Sequence, residues 1–268
     1  MIVYKYLHPT RTSVLEEGLI RFTQSAALND PFETTPDMRK LEQSFRGHMI
    51  RVIEQAELSD LEYVRARSQV GTRVNKHLQE FLRRNSNTDY AILSLSKIPN
   101  SLLMWAHYCD SHRGFVVGFD STHAFFHTRE LKRFSTLEEV HYSSERPVMP
   151  APEEWDGSQE QIERELSKYD LAELLFYTKS EDWKYEREPR MIANPQVADR
   201  HDRTPEGQDV YLYQFPVECL RQVIFGIRMP RDQRLRIGQL VNNKYEGVQL
   251  FEAALSQEKF DLDIVPFN

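Results

Sequence analysis

The chain has 268 residues, of which 28% are charged and 40% hydrophobic, and a formal net charge of −7. That length supports a sizeable core without disulfide staples, and the acidic balance argues against a protein coated in phosphate-binding charge. Two cysteines, Cys109 and Cys219, exclude a disulfide framework and fit a reducing cytoplasm, and no stretch approaches the roughly 18 apolar residues of a membrane-crossing helix, so neither export nor membrane contact is expected.

Residues 1–7 and 19–23 read as strands. Between them a short helix starts at Thr12 or Ser13 and stops at Gly18. Asn29-Asp30-Pro31-Phe32-Glu33 is turn chemistry, because Pro31 disfavours helix at Asp30. Residues 37–88 are helical: Leu41, Phe45, Met49 and Ile53, then Val70, Val74, Leu78 and Phe81, recur at three to four residues. The arginines among them read as a solvated face, with a nucleic-acid-facing helix as the alternative. Residues 90–96 form a strand, and 100–108 a helix capped by Asn100. Residues 114–120 are apolar enough for a central strand, and 137–142 for another.

Residues 143–161 are rich in proline and acids and read as a surface loop. A helix follows at 159–178, with short strands at 190–193, 210–214 and 222–226 and a mobile loop at 196–209. A helix at 231–245 and strands at 248–251 and 262–265 close the chain. These elements predict an α+β fold in a single domain over 1–268. One mixed, mainly antiparallel sheet is built from both ends of the chain, with a helical insertion on one side.

The densest polar cluster runs from Lys179 through Trp183 and Tyr185 to Glu186, Glu188 and Arg190. In an extended backbone, period two places Glu186, Glu188 and Arg190 on one face. Two near carboxylates push one pKa up and an arginine pulls it down, which suits a site as well as a surface ion-pair cluster. Pro189 marks a strand entrance or an edge. Ser94 and Ser96 share one face of their strand. Tyr4 and Tyr6 share a face opposite Lys5, a cation placed to hold a phosphate. Asn29, Asp30 and Glu33 either start a helix or line a pocket. Trp105, His107 and Tyr108 lie on one helix, with Trp105 and Tyr108 packing and His107 a polar handle in a cleft.

His123 and His127 lack the glutamate of a metalloprotease helix and read as ordinary helix residues. No glycine-rich phosphate loop, paired-cysteine zinc motif or nucleophile elbow occurs, so no metal is expected. Cys109 reads as buried and inert.

Taken in order, these motifs resemble the bacterial domain-of-unknown-function family 2971. The matching pieces are Tyr4-Lys5-Tyr6, residues 19–23, Asn29 to Glu33, Ser94-Leu95-Ser96, Asn100 with Met104 to Tyr108, residues 114–120, and Lys179 to Arg190. The resemblance spans residues 4 to about 230. It implies no activity, and it associates some relatives with phage-defence loci.

A second pattern is similar to ADP-ribosyltransferases of the Arg-Ser-Glu type: Lys5, then Ser94-Leu95-Ser96, then Glu186-Arg187-Glu188. This likeness implies NAD as substrate, with Lys5 on its phosphates, Ser94 and Ser96 supporting the pocket, Trp183 or Tyr185 stacking the nicotinamide, and Glu186 placing an acceptor. Glu188 would stabilise the oxocarbenium-like transition state as positive charge develops on the sugar. The chain departs from that type in having Lys for Arg, Leu95 in the serine motif, and Pro189 after Glu188.

The sequence therefore predicts an NAD-dependent ADP-ribosyltransferase or NAD glycohydrolase. Its catalytic residues are Glu188 and Glu186. Its binding residues are Tyr4, Lys5, Tyr6, Asn29, Asp30, Ser94, Ser96, Trp105, His107, Lys179, Trp183, Tyr185 and Arg190. The alternatives are a non-catalytic protein- or nucleotide-binding module, and a nuclease whose Asp30, Glu33, Glu186 and Glu188 gather a divalent metal. Neither the acceptor macromolecule nor the oligomeric state is legible.

Overall fold

The computed structural model describes residues 1–70, 90–127, 135–151, 164 and 171–267. In chain order the strands are β1 (Ile2–Leu7), β2 (Leu19–Phe22), β3 (Ala91–Ser94), β4 (Phe115–Asp120), β5 (Glu138–Glu139), β6 (His141–Ser143) and β7 (Thr178–Ser180). Then come β8 (Pro189–Ala193), β9 (Arg200–Arg203), β10 (Asp209–Gln214), β11 (Leu220–Phe225), β12 (Gln249–Leu255) and β13 (Leu262–Pro266). The fold is α+β, and its strand pairs are antiparallel except β11 with β12 and β6 with β7. Two compact units are present: Met1–Thr23, Ala91–Val140 and Asp182–Asn268 in the first, Gln24–Tyr90 and His141–Glu181 in the second.

The first unit holds a five-stranded sheet in the order β1-β4-β11-β12-β13, so both ends of the chain contribute to it. β4 lies between β1 and β11 and is apolar on both faces, as a strand covered on both sides must be. Phe115, Val117 and Phe119 pack into one core cluster with Val3, Phe22 and Leu93. Val116, with its side chain on the opposite face, joins a second cluster with Tyr6, Trp105 and Ile224. Each such side chain contributes about 1.5–3 kcal/mol of burial.

The parallel pair β11 and β12 needs a crossover, and the helix Arg231–Lys244 supplies it while burying Ile237 and Val241. Lys244 Nζ donates to the carbonyls of Leu15 (3.2 Å) and Glu16 (2.5 Å), placing a cation at the C-terminus of the helix Ser13–Glu17. Gly18 ends that helix in the left-handed region (φ 75°), as its position predicts.

The remaining strands of this unit do not extend the main sheet as one surface. They form two three-stranded sheets, β2-β10-β9 and β3-β8-β5. Single bridges, Tyr4 to Ser96 and Thr23 to Ile92, tie β1 and β2 to the β3 segment. The expected mobile loop at 196–209 contains β9, because Arg200–Arg203 finds a partner edge on β10. The cap of the helix Leu102–Tyr108 is Ser101 rather than Asn100: Ser101 Oγ accepts from Met104 N at 3.4 Å. His123 and His127 flank a single 3-10 turn, Ala124–Phe126, instead of lying on an α-helix. His123 Nδ1 accepts from Phe125 N at 3.1 Å, and His127 Nε2 lies 2.7 Å from the Ser121 carbonyl.

Gly114 immediately precedes β4, where two backbone segments converge. A Cβ there would sit 2.0 Å from the Leu7 carbonyl oxygen and 3.0 Å from Cys109 Cα. Both neighbours are backbone and cannot swing away. Gly114→Ala is expected to cost ~3 kcal/mol or more in urea unfolding, at the upper end of overpacking penalties. A loss below about 1 kcal/mol would show that the loop after Cys109 yields.

In the second unit the helix Arg39–Gln55 and the helical residues 60–70 pack through Ile53 and Val70, with Met49, Tyr63 and Ala66 around them. Arg46, Arg51, Arg65 and Arg67 are exposed. Residues 71–88 of the expected insertion lie outside the described residues, as does 152–161 of the expected loop. Of the helix expected at 159–178, Leu171–Phe176 is helical, as is Arg164; 159–163 and 165–170 lie outside the described residues. Among the described residues no helix is long and apolar enough to cross a membrane.

Candidate functional site

In the first unit, β8 runs antiparallel to β3, with Arg190 opposite Ser94. The pairing continues past the strand ends through Leu95 N to the Pro189 carbonyl (3.0 Å) and Lys97 N to the Arg187 carbonyl (3.2 Å). Pro189 is the strand entrance. The preceding segment is not extended, however. Glu186 ends a 3-10 turn, Glu181–Glu186, and Arg187 has a left-handed φ of 46°. A non-glycine residue in that region is strained, and here the kink turns Glu186 and Glu188 both inward while Arg187 stays exposed. Period two is therefore not what brings the two carboxylates together. The Ser96 hydroxyl pins the kink by donating to the Glu186 carbonyl at 2.7 Å.

Glu188 and Arg190 are an enclosed ion pair, each with a side chain 1% exposed. Arg190 presents Nε to Oε1 and Nη2 to Oε2, the second at 3.0 Å, the fork geometry that arginine alone provides. Glu186 Oε1 accepts from the Tyr108 hydroxyl at 2.6 Å. Lys5 reaches across from β1, where its Nζ donates to the Ser94 carbonyl at 2.7 Å.

Burial lowers the Lys5 pKa from 10.5 to about 8, Arg11 and Arg21 push it further down, and Glu188 and Glu186 pull it back. Desolvation also lowers Arg11, and desolvation and then Arg11 lower Arg21. Arg21 Nε and Nη2 are buried and have no hydrogen-bond partner. Lys5, Arg11 and Arg21 thus lie close enough to influence one another beside Glu186, Glu188 and Arg190, a concentration of cations in a chain of net charge −7.

Beside Tyr108 lies an aromatic row: His107 is 6.5 Å from Tyr185, and Tyr185 is 6.0 Å from Trp183, between ring centroids. Tyr185 and Trp183 are half-buried and His107 is exposed. Other predicted residues pack against or within the core. Trp105 is fully buried, with its indole N–H on the Pro99 carbonyl (2.8 Å) and its ring against Tyr6. The Tyr6 hydroxyl donates to the Ile98 carbonyl (2.8 Å) and the Tyr4 hydroxyl to Gln222 (3.3 Å). Cys109 is buried and its thiol pKa is raised by desolvation. Sequence reasoning missed Arg11, Arg21 and the Tyr108 hydroxyl. The available signal was Arg21 itself, a cation between the buried Ile20 and Phe22 of β2.

Asn29, Asp30, Glu33 and Lys179 belong to the second unit. Asn29 is exposed. Asp30 Oδ1 accepts from Phe32 N at 2.8 Å, closing the Asx turn that the motif predicts. Glu33 is ion-paired with Lys179 of β7 at 3.2 Å, both buried. Two of the four carboxylates proposed to gather a metal, Glu33 and Glu188, are ion-paired with cations instead, and among the described residues no three His, Cys, Asp or Glu side chains come together as a metal site needs.

Residues 104–191 match the family described as Protein of unknown function (DUF2971). That is about a third of the chain, narrower than the motif resemblance, and it includes Tyr108, Trp183, Glu186, Glu188 and Arg190 but neither β1 nor β2. No curated protein and no solved structure matches.

Proposed function

We propose that the first unit binds a phosphorylated nucleotide, with phosphates on Lys5, Arg11 and Arg21 and the base against Tyr185 and Trp183. The observation that carries this is the half-buried Arg21, whose Nε and Nη2 are buried with no hydrogen-bond partner while Arg11 and Lys5 stand close enough to depress its pKa or to have their own depressed by it. Unsatisfied buried donors of like charge are costly, and a phosphate satisfies them bidentately. The aromatic row offers π-faces of the kind that stack bases.

NAD is the first ligand to test. A second reading, cleavage of its nicotinamide bond, is favoured by the nearness of Lys5 to both Glu186 and Glu188. Against it, Glu188 is enclosed with Arg190, whereas a carboxylate that stabilises an oxocarbenium ion must face the sugar. Glu188 is read here as a countercharge. Calorimetric titration with NAD, ADP and adenosine separates the readings when free nicotinamide is followed in the same samples. NAD and ADP are expected to bind and adenosine to fail. Equal binding of adenosine, or no binding at all, overturns the phosphate site, and nicotinamide release restores the enzymatic reading. Ligand binding here is independent of the phage-defence setting that the resemblance implies.

The site should be pH-sensitive. Lys5 loses its proton as pH rises through about 8, where an ordinary lysine stays charged to about 10.5. The NAD diphosphate keeps its charge over this range. Affinity is therefore expected to weaken roughly tenfold between pH 7 and 9.5, the worth of one charge-assisted contact, and Lys5→Met should flatten that profile. A flat profile in the unaltered protein places the phosphates elsewhere.

A further inference from the structure

The second unit contains a separate cavity of about 220 Å³ whose wall includes Asp30, Phe32, Glu33, Arg146 and Lys179. The Asn-Asp-Pro-Phe-Glu turn builds one side and the ends of the parallel strands β6 and β7 another, with Ser143 and Ser180 paired in register at its edge. Asp30 is 6% exposed. Its Oδ1 is used by the turn, but Oδ2 is buried with no hydrogen-bond partner. A carboxylate oxygen left this way is costly, and a donor brought to it from the cavity would relieve that cost.

The charges around the cavity narrow what that donor belongs to. Glu33 and Lys179 neutralise one another. Arg146 uses Nε and Nη2 on the carbonyls of Thr35 and Pro36, its guanidinium lies 5.9 Å from the Phe32 ring centroid and near enough to Asp37 to lower that carboxyl's pKa, and Nη1 takes no part in those bonds. With the Glu33–Lys179 pair cancelled, a simple cation at Asp30 would meet Arg146. A simple anion at Arg146 would meet Asp30 and Glu145. A small zwitterion satisfies both ends and leaves the net charge unchanged. The geometry points to a binding site for a free amino acid, with its ammonium group on Asp30 Oδ2 and its carboxylate toward Arg146. This site is independent of the nucleotide site proposed for the first unit.

The test is calorimetric titration of the full chain at pH 7.5 with each of the twenty common L-amino acids, with the N-acetyl derivative of the best binder, and with glucose. Asp30→Asn is the matched variant, since its Oδ1 still closes the turn while an amide N–H₂ replaces the acceptor. At least one amino acid is expected to bind. N-acetylation, which removes the ammonium charge, and Asp30→Asn are each expected to weaken binding by ~30-fold, the worth of one charge-assisted contact. The N-acetyl comparison needs no variant, so it decides the matter even if Asp30→Asn folds poorly. Absence of amino-acid binding, binding indifferent to acetylation, or binding of glucose in place of any amino acid overturns the proposal.

Discussion

Arg21→Met is expected to raise the melting temperature of the ligand-free protein while removing most of its affinity for NAD. Both effects have one cause. Arg21 is half-buried, with Nε and Nη2 buried and unsatisfied, and its charge lies near Arg11 and Lys5. Methionine keeps the aliphatic packing of the arginine stem and removes the stranded charge. Relief of one unsatisfied charged donor is worth about 1–3 kcal/mol, which corresponds to a rise of roughly 2–8 °C for a protein of this size. Loss of a bidentate phosphate contact should weaken NAD binding ~30- to 100-fold. Arg21→Lys keeps the charge without the fork and should fall between. Scanning calorimetry and titration of the same samples check both halves. A lower melting temperature with unchanged affinity would make Arg21 a structural residue.

Linkage adds a further signature to the same cluster. Between about pH 8 and 10.5 the unfolded chain keeps a proton on Lys5 that the folded chain releases. The unfolded state then binds more protons, so this group makes stability rise with pH across that window. Bound phosphate should erase the rise, because it holds the Lys5 proton on.

The second large effect is on stability alone. Glu188→Ala is expected to cost about 3–5 kcal/mol in urea unfolding, because it removes the carboxylate that the Arg190 fork grips in a site where both side chains are 1% exposed. Glu188→Gln keeps an acceptor but not the charge and should lose somewhat less. The double replacement Glu188→Leu with Arg190→Met removes both charges together and should recover most of the loss, since a buried pair is often matched by apolar groups of similar volume. NAD affinity in the double variant should stay within severalfold of the original if Glu188 is a countercharge. A folded double variant that binds NAD but has lost a nicotinamide-releasing activity present in the original would instead make Glu188 the reacting carboxylate.

Much of the fold was legible because local patterns set element type. Alternation marked β1 and β2, and the continuous apolar run of residues 115–119 marked β4 as a strand covered on both faces, which its place between β1 and β11 explains. Gly18 marked the end of the first helix through its left-handed backbone. The Lys179-to-Arg190 run was visible as a concentration of charge and aromatics. Its conformation was not, because the left-handed Arg187 is maintained by contacts from a distant segment, chiefly the Ser96 hydroxyl ninety residues earlier in the chain. Likewise β9 is polar and lacks a strong strand signal, and it exists because β10 offers it an edge.

By itself, then, the sequence determined an α+β chain, the strand that runs through its main core, and a short list of charged and aromatic residues. Tertiary structure decided which of those charges meet. Lys5 reaches the Ser94 carbonyl across 89 positions, and Tyr108 reaches Glu186 across 78. Periodicity reports which face of an element a side chain occupies. It carries no information on which distant segment lies alongside, and the tertiary arrangement is what left Arg21 beside other cations in the first unit and set the Asp30 carboxylate in the wall of a cavity in the second.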